Sequence, residues 1–115
     1  TCTKLTSISL PENLTSIGES AFSGTTLTSI TIPQNTTSLG DKAFQNCTSL
    51  SDLTILDSQA SIGANAFSGC SALKNATLGN AITSIGNNAF KDCTDLTNVT
   101  ISNTITSIGN NAFMG

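Results

Sequence analysis

The chain has 115 residues, a length at which one domain is expected, and its formal net charge is −3. It carries four basic residues, all of them lysines, and no basic cluster, so nothing in it matches a row of phosphates and nucleic acid is a disfavoured partner. No run approaches the roughly 18 apolar residues that span a bilayer, so no membrane insertion is expected of this segment.

A seven-residue motif occurs five times along the chain and defines its repeats. A fixed period of 22 or 23 residues is typical of a stacked solenoid, in which each coil is buried only by its neighbours. We therefore predict a single solenoid domain over residues 1–115, built from about five repeats. The five copies of the motif end at Phe22, Phe44, Phe67, Phe90 and Phe113.

Each repeat opens with the pattern Leu-x-x-Ile-x-Ile, with Leu, Ala or Val at some of the isoleucine positions. Alternation of this kind points one set of side chains inward and the other outward, as in a half-buried strand. Such strands would pair in parallel into one sheet, at about 4.8 Å per coil. Thr15-Ser16-Ile17 and its counterparts are candidates for a second, shorter run of strand. The predicted strands are Ser7–Leu10, Ser29–Ile32, Asp52–Ile55, Asn75–Leu78 and Asn98–Ile101.

One glycine per repeat follows these shorter runs, as at Gly40 and Gly63. A glycine that recurs at one position indicates either a positive backbone φ or a close approach of neighbouring coils. The residues after it, ending in Ala-Phe, predict about one to two helical turns, which are too short to be stable without packing. We expect the five phenylalanines, the only aromatic residues of the chain, to lie in the core.

Cysteines close the later repeats at Cys47, Cys70 and Cys93, with Thr25 in the same slot one coil earlier and Cys2 one coil before that. Zinc sites commonly use cysteines two to four residues apart, and these are separated by 45, 23 and 23 residues. Stacked helices lie about 8–10 Å apart, beyond the roughly 7 Å at which two Cα atoms can be bridged. We therefore expect free, buried thiols, although disulfides between adjacent coils stay an alternative.

The pattern Cys-x-x-Leu-x-x-Ile-x-Ile-Pro-x-x-x-Thr-Ser-Ile-Gly-x-x-Ala-Phe resembles the repeat of the BspA-like, or treponemal-type, leucine-rich repeat family, and it covers essentially the whole chain. The resemblance implies an α/β repeat solenoid, a right-handed coil stack with one parallel β-sheet and short helical turns on the opposite side. The chain departs from the pattern where Thr36 and Gln59 replace an apolar residue. Neither end resembles a capping unit, so an uncapped fragment of a longer array is expected.

The same resemblance implies a surface-displayed or secreted, adhesin-like protein that binds host matrix or cell-surface proteins. Catalysis, cofactors and metals are not expected, because the chain has no histidine and its acidic residues lie mostly on turns. A solenoid commonly binds a partner on its sheet. We predict that a protein docks on the outward strand positions, Ser29, Thr31, Asp52, Thr54, Asn75, Thr77, Asn98 and Thr100.

Three alternatives to a docking face stay open. The outward positions could form a soluble sheet surface rich in β-favouring threonine, with no partner. The repeats could serve as a structural spacer that displays another domain. The threonines could also bind ice, although that requires a flat face and a sheet backed by bulkier helical turns should curve.

Overall fold

The computed structural model describes residues 10–56, 61–100 and 104–113. Longer and shorter strands alternate along this part of the chain and build a parallel-strand β-solenoid of about four turns. The longer strands are β2 (Ser29–Ile32), β4 (Asp52–Ile55), β6 (Asn75–Thr77) and β8 (Asn98–Thr100). The two-residue strands are β1 (Ser16–Ile17), β3 (Ser38–Leu39), β5 (Ser61–Ile62), β7 (Ser84–Ile85) and β9 (Ser107–Ile108).

The strands form two parallel sheets instead of the single sheet expected. The long-strand sheet has the order β2-β4-β6-β8, and the short-strand sheet has the order β1-β3-β5-β7-β9. Neighbouring strands in both sheets are one coil apart, so equivalent positions of successive repeats lie side by side. The shorter runs considered at Ser16–Ile17 and its counterparts are confirmed as strands. The first predicted strand, Ser7–Leu10, falls almost wholly outside the described residues.

Apolar side chains from both sheets meet inside the coils as continuous columns. In the long-strand sheet the inward residues Ile30, Leu53 and Ile55 are at most 3% exposed, and Val99 in β8 is half-buried. The phenylalanine rings stack with centroids 5.1–5.2 Å apart, and Phe44 and Phe67 are fully buried. This spacing is within the range at which offset aromatic rings attract each other. The expected phenylalanine core is confirmed for the inner coils, whereas Phe113 is 38% exposed.

The predicted helical turns are wrong, because no helix forms in the described ranges. The second residue after each repeat glycine has a left-handed backbone, with φ of 62° at Lys42, 59° at Asn65 and 60° at Asn88. A residue in that conformation ends right-handed helical geometry. Alternate amides then point out of the turn: Phe44 N donates to Ala66 O of the next coil at 2.7 Å, while Ala43 N donates to Gly40 O at 3.2 Å within its own coil. The turns thus add a third hydrogen-bonded ladder.

Close approach of neighbouring coils explains the repeat glycine. A Cβ atom on Gly63 would lie 2.7 Å from the carbonyl carbon of Gly40, and one on Gly86 would lie 2.7 Å from that of Gly63. Real Cβ atoms do not come this near to backbone, so only glycine fits. Of the two explanations drawn from the sequence, the close approach is therefore confirmed, and the positive φ lies two residues later.

Candidate functional site

The eight predicted site residues all lie on the outer face of the long-strand sheet, which we call the strand face. Strand pairing aligns them in two columns, one position per coil. Seven of the eight side chains are exposed and Thr54 is half-buried. The predicted placement is therefore confirmed, and binding stays a prediction. The amide column is Ser29, Asp52, Asn75 and Asn98, and the threonine column is Thr31, Thr54, Thr77 and Thr100.

The amide column is tied together by its own side chains. Asn98 Nδ2 donates to Asn75 Oδ1 at 2.9 Å, and Asn75 Nδ2 donates to Asp52 Oδ1 at 3.0 Å. Ser51 Oγ donates to Thr28 O at 3.1 Å and also lies 3.3 Å from the second oxygen of the Asp52 carboxylate. Such a linked network holds each side chain in one rotamer. The column is therefore a preorganised surface whose hydrogen-bonding capacity is partly used within the protein.

The threonine column differs in its hydrogen bonding. Among the described residues, no group forms a hydrogen bond with the hydroxyl of Thr31, Thr54 or Thr77. Each hydroxyl can donate one hydrogen bond and accept two. Thr31, Thr54 and Thr77 thus present one hydroxyl without a described partner in each of three successive coils to solvent or to a ligand.

The outer face of the short-strand sheet offers a contrast within the same molecule. There, Thr37 Oγ1 donates to Thr15 O of the preceding coil at 3.2 Å, and Thr106 Oγ1 donates to Thr83 O at 3.1 Å. These hydroxyls are already satisfied by the backbone. The row of unbonded hydroxyls in three successive coils, at Thr31, Thr54 and Thr77, makes the strand face the candidate site.

The strand face carries little charge. Asp52 is the single ionisable group among its eight residues, and Lys74 is exposed directly before β6. Charge steering and salt-dependent attraction therefore contribute little at this face. Its chemistry is that of short hydroxyl and amide groups, which suits a polar, uncharged surface on a partner.

A hollow lies beyond the ends of the long strands. It has a volume of about 260 Å³ and is lined by Glu12, Pro33, Gln34, Asn35 and Leu56. Leu56 is 42% exposed there, and Asn35 Nδ2 donates to Glu12 O at 3.1 Å. Small-molecule sites usually enclose about 300–1,000 Å³, so this open hollow is a weaker candidate than the strand face.

The cysteines form a buried column inside the coils. Cys47, Cys70 and Cys93 are free, and each thiol donates to a phenylalanine carbonyl of the preceding coil at 3.1–3.2 Å. Their predicted burial is confirmed. Thr25 shares the slot, with its Oγ1 3.4 Å from Cys47 Sγ. Cys2 lies outside the described residues.

Burial and mutual contact perturb these thiols. Burial raises the pKa of Cys93 to about 11. The neighbouring Cys47 thiol, together with burial, raises the pKa of Cys70. The neighbouring Cys70 thiol lowers the pKa of Cys47, against the opposing effect of burial. Within the described ranges, no group of three or more histidine, cysteine or acidic side chains is placed to hold a metal ion, and no helix is long and apolar enough to cross a membrane.

Comparison with protein families shows which family the chain resembles. The model of the BspA type Leucine rich repeat region matches residues 1–115, in six copies. No curated protein matches the chain.

Two crystal structures are similar to the chain. A leucine-rich repeat protein from Bacteroides ovatus is 25% identical, with a TM-score of 0.59, and the match covers 96% of this chain and 40% of that one. The T. pallidum leucine-rich repeat protein is 18% identical, with a TM-score of 0.45, over 87% of this chain and 71% of that one. The chain thus spans less than half the length of the Bacteroides protein.

Proposed function

We propose, from the premise that this chain belongs to the BspA-type leucine-rich repeat family, that it is a non-enzymatic protein-interaction module which binds through its strand face. Leucine-rich repeats generally act as protein-interaction modules. We further propose that the module belongs to an adhesin-like protein displayed at a cell surface or secreted, with a host matrix or cell-surface protein as the partner.

One observation carries the choice of face. Among the described residues, no group bonds to the hydroxyls of Thr31, Thr54 and Thr77 in three successive coils, whereas the hydroxyls of Thr37 and Thr106 beside the short-strand sheet donate to the backbone. A partner that hydrogen-bonds to Thr31, Thr54 and Thr77 displaces water without breaking a bond inside the protein. The same contact at Thr37 or Thr106 would have to compete with a bond that already exists.

The amide column supports such binding without competing for it. Its side chains are held in place by bonds to each other, so docking against them costs little rotamer entropy. The face is nearly uncharged, so we expect affinity to depend weakly on ionic strength.

The decisive experiment introduces two lysines into the threonine column. Thr54→Lys together with Thr77→Lys places long, charged side chains at the centre of the face, where an unpaired charge opposes docking. We expect at least a tenfold weaker interaction with whichever protein in a panel of purified matrix, plasma and cell-surface proteins binds the parent chain in surface plasmon resonance.

The matched control adds the same charge on the other sheet. Thr15→Lys together with Thr83→Lys changes two exposed residues directly before β1 and β7, and should leave affinity unchanged. Circular dichroism and melting curves establish that both variants are folded. Equal affinity of the Thr54/Thr77 variant and the parent would remove the strand face as the binding site.

A structural spacer is the second candidate function. The three ladders join successive coils through the described chain, and such a stack spaces attached domains regularly. Absence of binding to every protein of the panel, by the folded parent chain, would favour the spacer over the interaction module.

A further inference from the structure

The buried cysteine column has a closer spacing than stacked helices would allow. The backbone directly before it is hydrogen-bonded from coil to coil, since Asn46 N donates to Ser68 O and Gly69 N donates to Lys91 O, both at 2.8 Å. Chains paired in this way lie about 4.8 Å apart. Side-chain tips in the slot also approach closely, as the 3.4 Å between Thr25 Oγ1 and Cys47 Sγ shows.

This spacing permits a bond that the sequence argument disfavoured. Disulfides join Cα atoms about 4.4–6.8 Å apart, a range that includes neighbouring coils at about 4.8 Å. Cys47 and Cys70 are neighbours, as are Cys70 and Cys93. Cys47 and Cys93 are two coils apart, about 10 Å on the same spacing, and cannot be bridged.

We propose that Cys47 and Cys70 form a redox latch, in which a small-molecule disulfide such as oxidised glutathione converts the two thiols into a disulfide between neighbouring coils. The Cys47 thiolate attacks the small disulfide, forming a mixed disulfide and releasing one small thiolate. Cys70 then loses its proton and attacks Cys47 Sγ, and the second small thiolate leaves. Two protein thiols are oxidised, one small disulfide is reduced, and the two thiol protons end on the released thiols.

The neighbouring groups favour this pair over Cys70 and Cys93. The adjacent Cys70 thiol lowers the pKa of Cys47, which makes Cys47 the better nucleophile, whereas burial raises the pKa of Cys93. Cys70 can join one partner only, so a single disulfide is expected. Because all three thiols are buried, exchange proceeds through transient opening of the turns.

The latch would stabilise the chain where disulfides persist. A bond between residues 47 and 70 closes a loop of about 23 residues and reduces the freedom of the unfolded chain. For a chain of this size we expect the melting temperature to rise by about 10 °C. In a reducing compartment the thiols stay free and the increment is absent.

The test compares two variants that each keep two thiols. Cys2→Ser with Cys93→Ser keeps Cys47 and Cys70, and Cys2→Ser with Cys70→Ser keeps Cys47 and Cys93. Each folded, reduced chain is incubated with oxidised glutathione at mildly alkaline pH, then alkylated and weighed by intact-mass spectrometry. The melting temperature is measured before and after addition of dithiothreitol.

We expect the Cys47/Cys70 chain to lose two hydrogen atoms and both free thiols, and to melt about 10 °C higher until dithiothreitol is added. The Cys47/Cys93 chain should form no internal disulfide. Two remaining thiols in the first chain, or an oxidised form that melts no higher than the reduced one, would overturn the latch. Peptide mapping of the oxidised Cys2→Ser chain gives an independent readout, in which a Cys47–Cys70 link supports the proposal and a Cys70–Cys93 link contradicts it.

Discussion

Single residues with a left-handed backbone determine how each coil turns. Asn65 and Asn88 adopt this conformation with φ near 60°, as does Lys42. Asparagine tolerates it, because its short polar side chain can bond to the nearby backbone, whereas the aliphatic stem of a lysine makes no compensating bond. The Lys42 coil therefore carries strain that the later coils largely avoid.

Replacing Lys42 by asparagine should stabilise the protein. Relief of the left-handed strain is expected to raise the free energy of unfolding by about 0.5–1 kcal/mol, as measured by urea denaturation. The reverse change, Asn65→Lys, should lower it by a similar amount. Lys42→Gln controls for the lost charge, and a gain equal to that of Lys42→Asn would show that charge, not backbone conformation, is responsible.

Residue identity also limits what could be predicted about the turns. Asparagine recurs at the left-handed position in the last three repeats, at Asn65, Asn88 and Asn111, and was the available signal against a helix. Ser20 and Lys42 occupy that position in the first two repeats and obscure it. A stretch ending in Ala-Phe, without β-branched residues, matches helix propensity, and the bonds to the next coil that override it are not visible in one repeat.

At the scale of elements, equivalent side chains in neighbouring strands form bonded columns. The sequence places the asparagines outward on β6 and β8 by alternation alone, and the structure confirms this. The sequence does not show that they bond to each other and to Asp52, because that requires strand register to bring residues 23 positions apart into contact. The same limit applies to the free hydroxyls of the threonine column.

Substitution of Asn75, in the middle of the amide column, should show that the neighbouring side chains of the column depend on each other. Asn75→Asp removes the donor to Asp52 and sets two carboxylates side by side, whereas Asn98→Asp changes a residue with no carboxylate beside it in the adjacent strand. Lost bonding and like-charge repulsion should lower the unfolding free energy of the Asn75 variant at pH 7 by about 1–2 kcal/mol, and that of the Asn98 variant by less.

High salt should reverse part of this loss, because it screens the repulsion between the two carboxylates. Equal losses for the two variants at pH 7, or a deficit of the Asn75 variant that does not change with salt, would show that the amide column is not coupled in this way.

The whole molecule is a one-dimensional stack, in which each coil contacts the coil before it and the coil after it. Stability in such a protein is approximately a sum of terms from single repeats and from nearest-neighbour interfaces. The period of the sequence was sufficient to predict this arrangement, because every inward position recurs in every repeat. The second sheet was only partly foreseen, since a two-residue strand leaves almost no periodic pattern.

The position of a coil in the stack should decide the cost of losing its phenylalanine. Phe67 is fully buried, and its ring stacks on Phe44 at 5.1 Å and on Phe90 at 5.2 Å. Phe67→Ala removes contacts to both neighbours and leaves a cavity, so we expect the unfolding free energy to fall by about 3–5 kcal/mol. Phe113, which is 38% exposed, stacks on Phe90. Phe113→Ala should cost about 1 kcal/mol, because partly exposed side chains bury less apolar area. Urea denaturation followed by circular dichroism measures both, and equal losses would contradict a stack in which each coil is stabilised mainly by its neighbours.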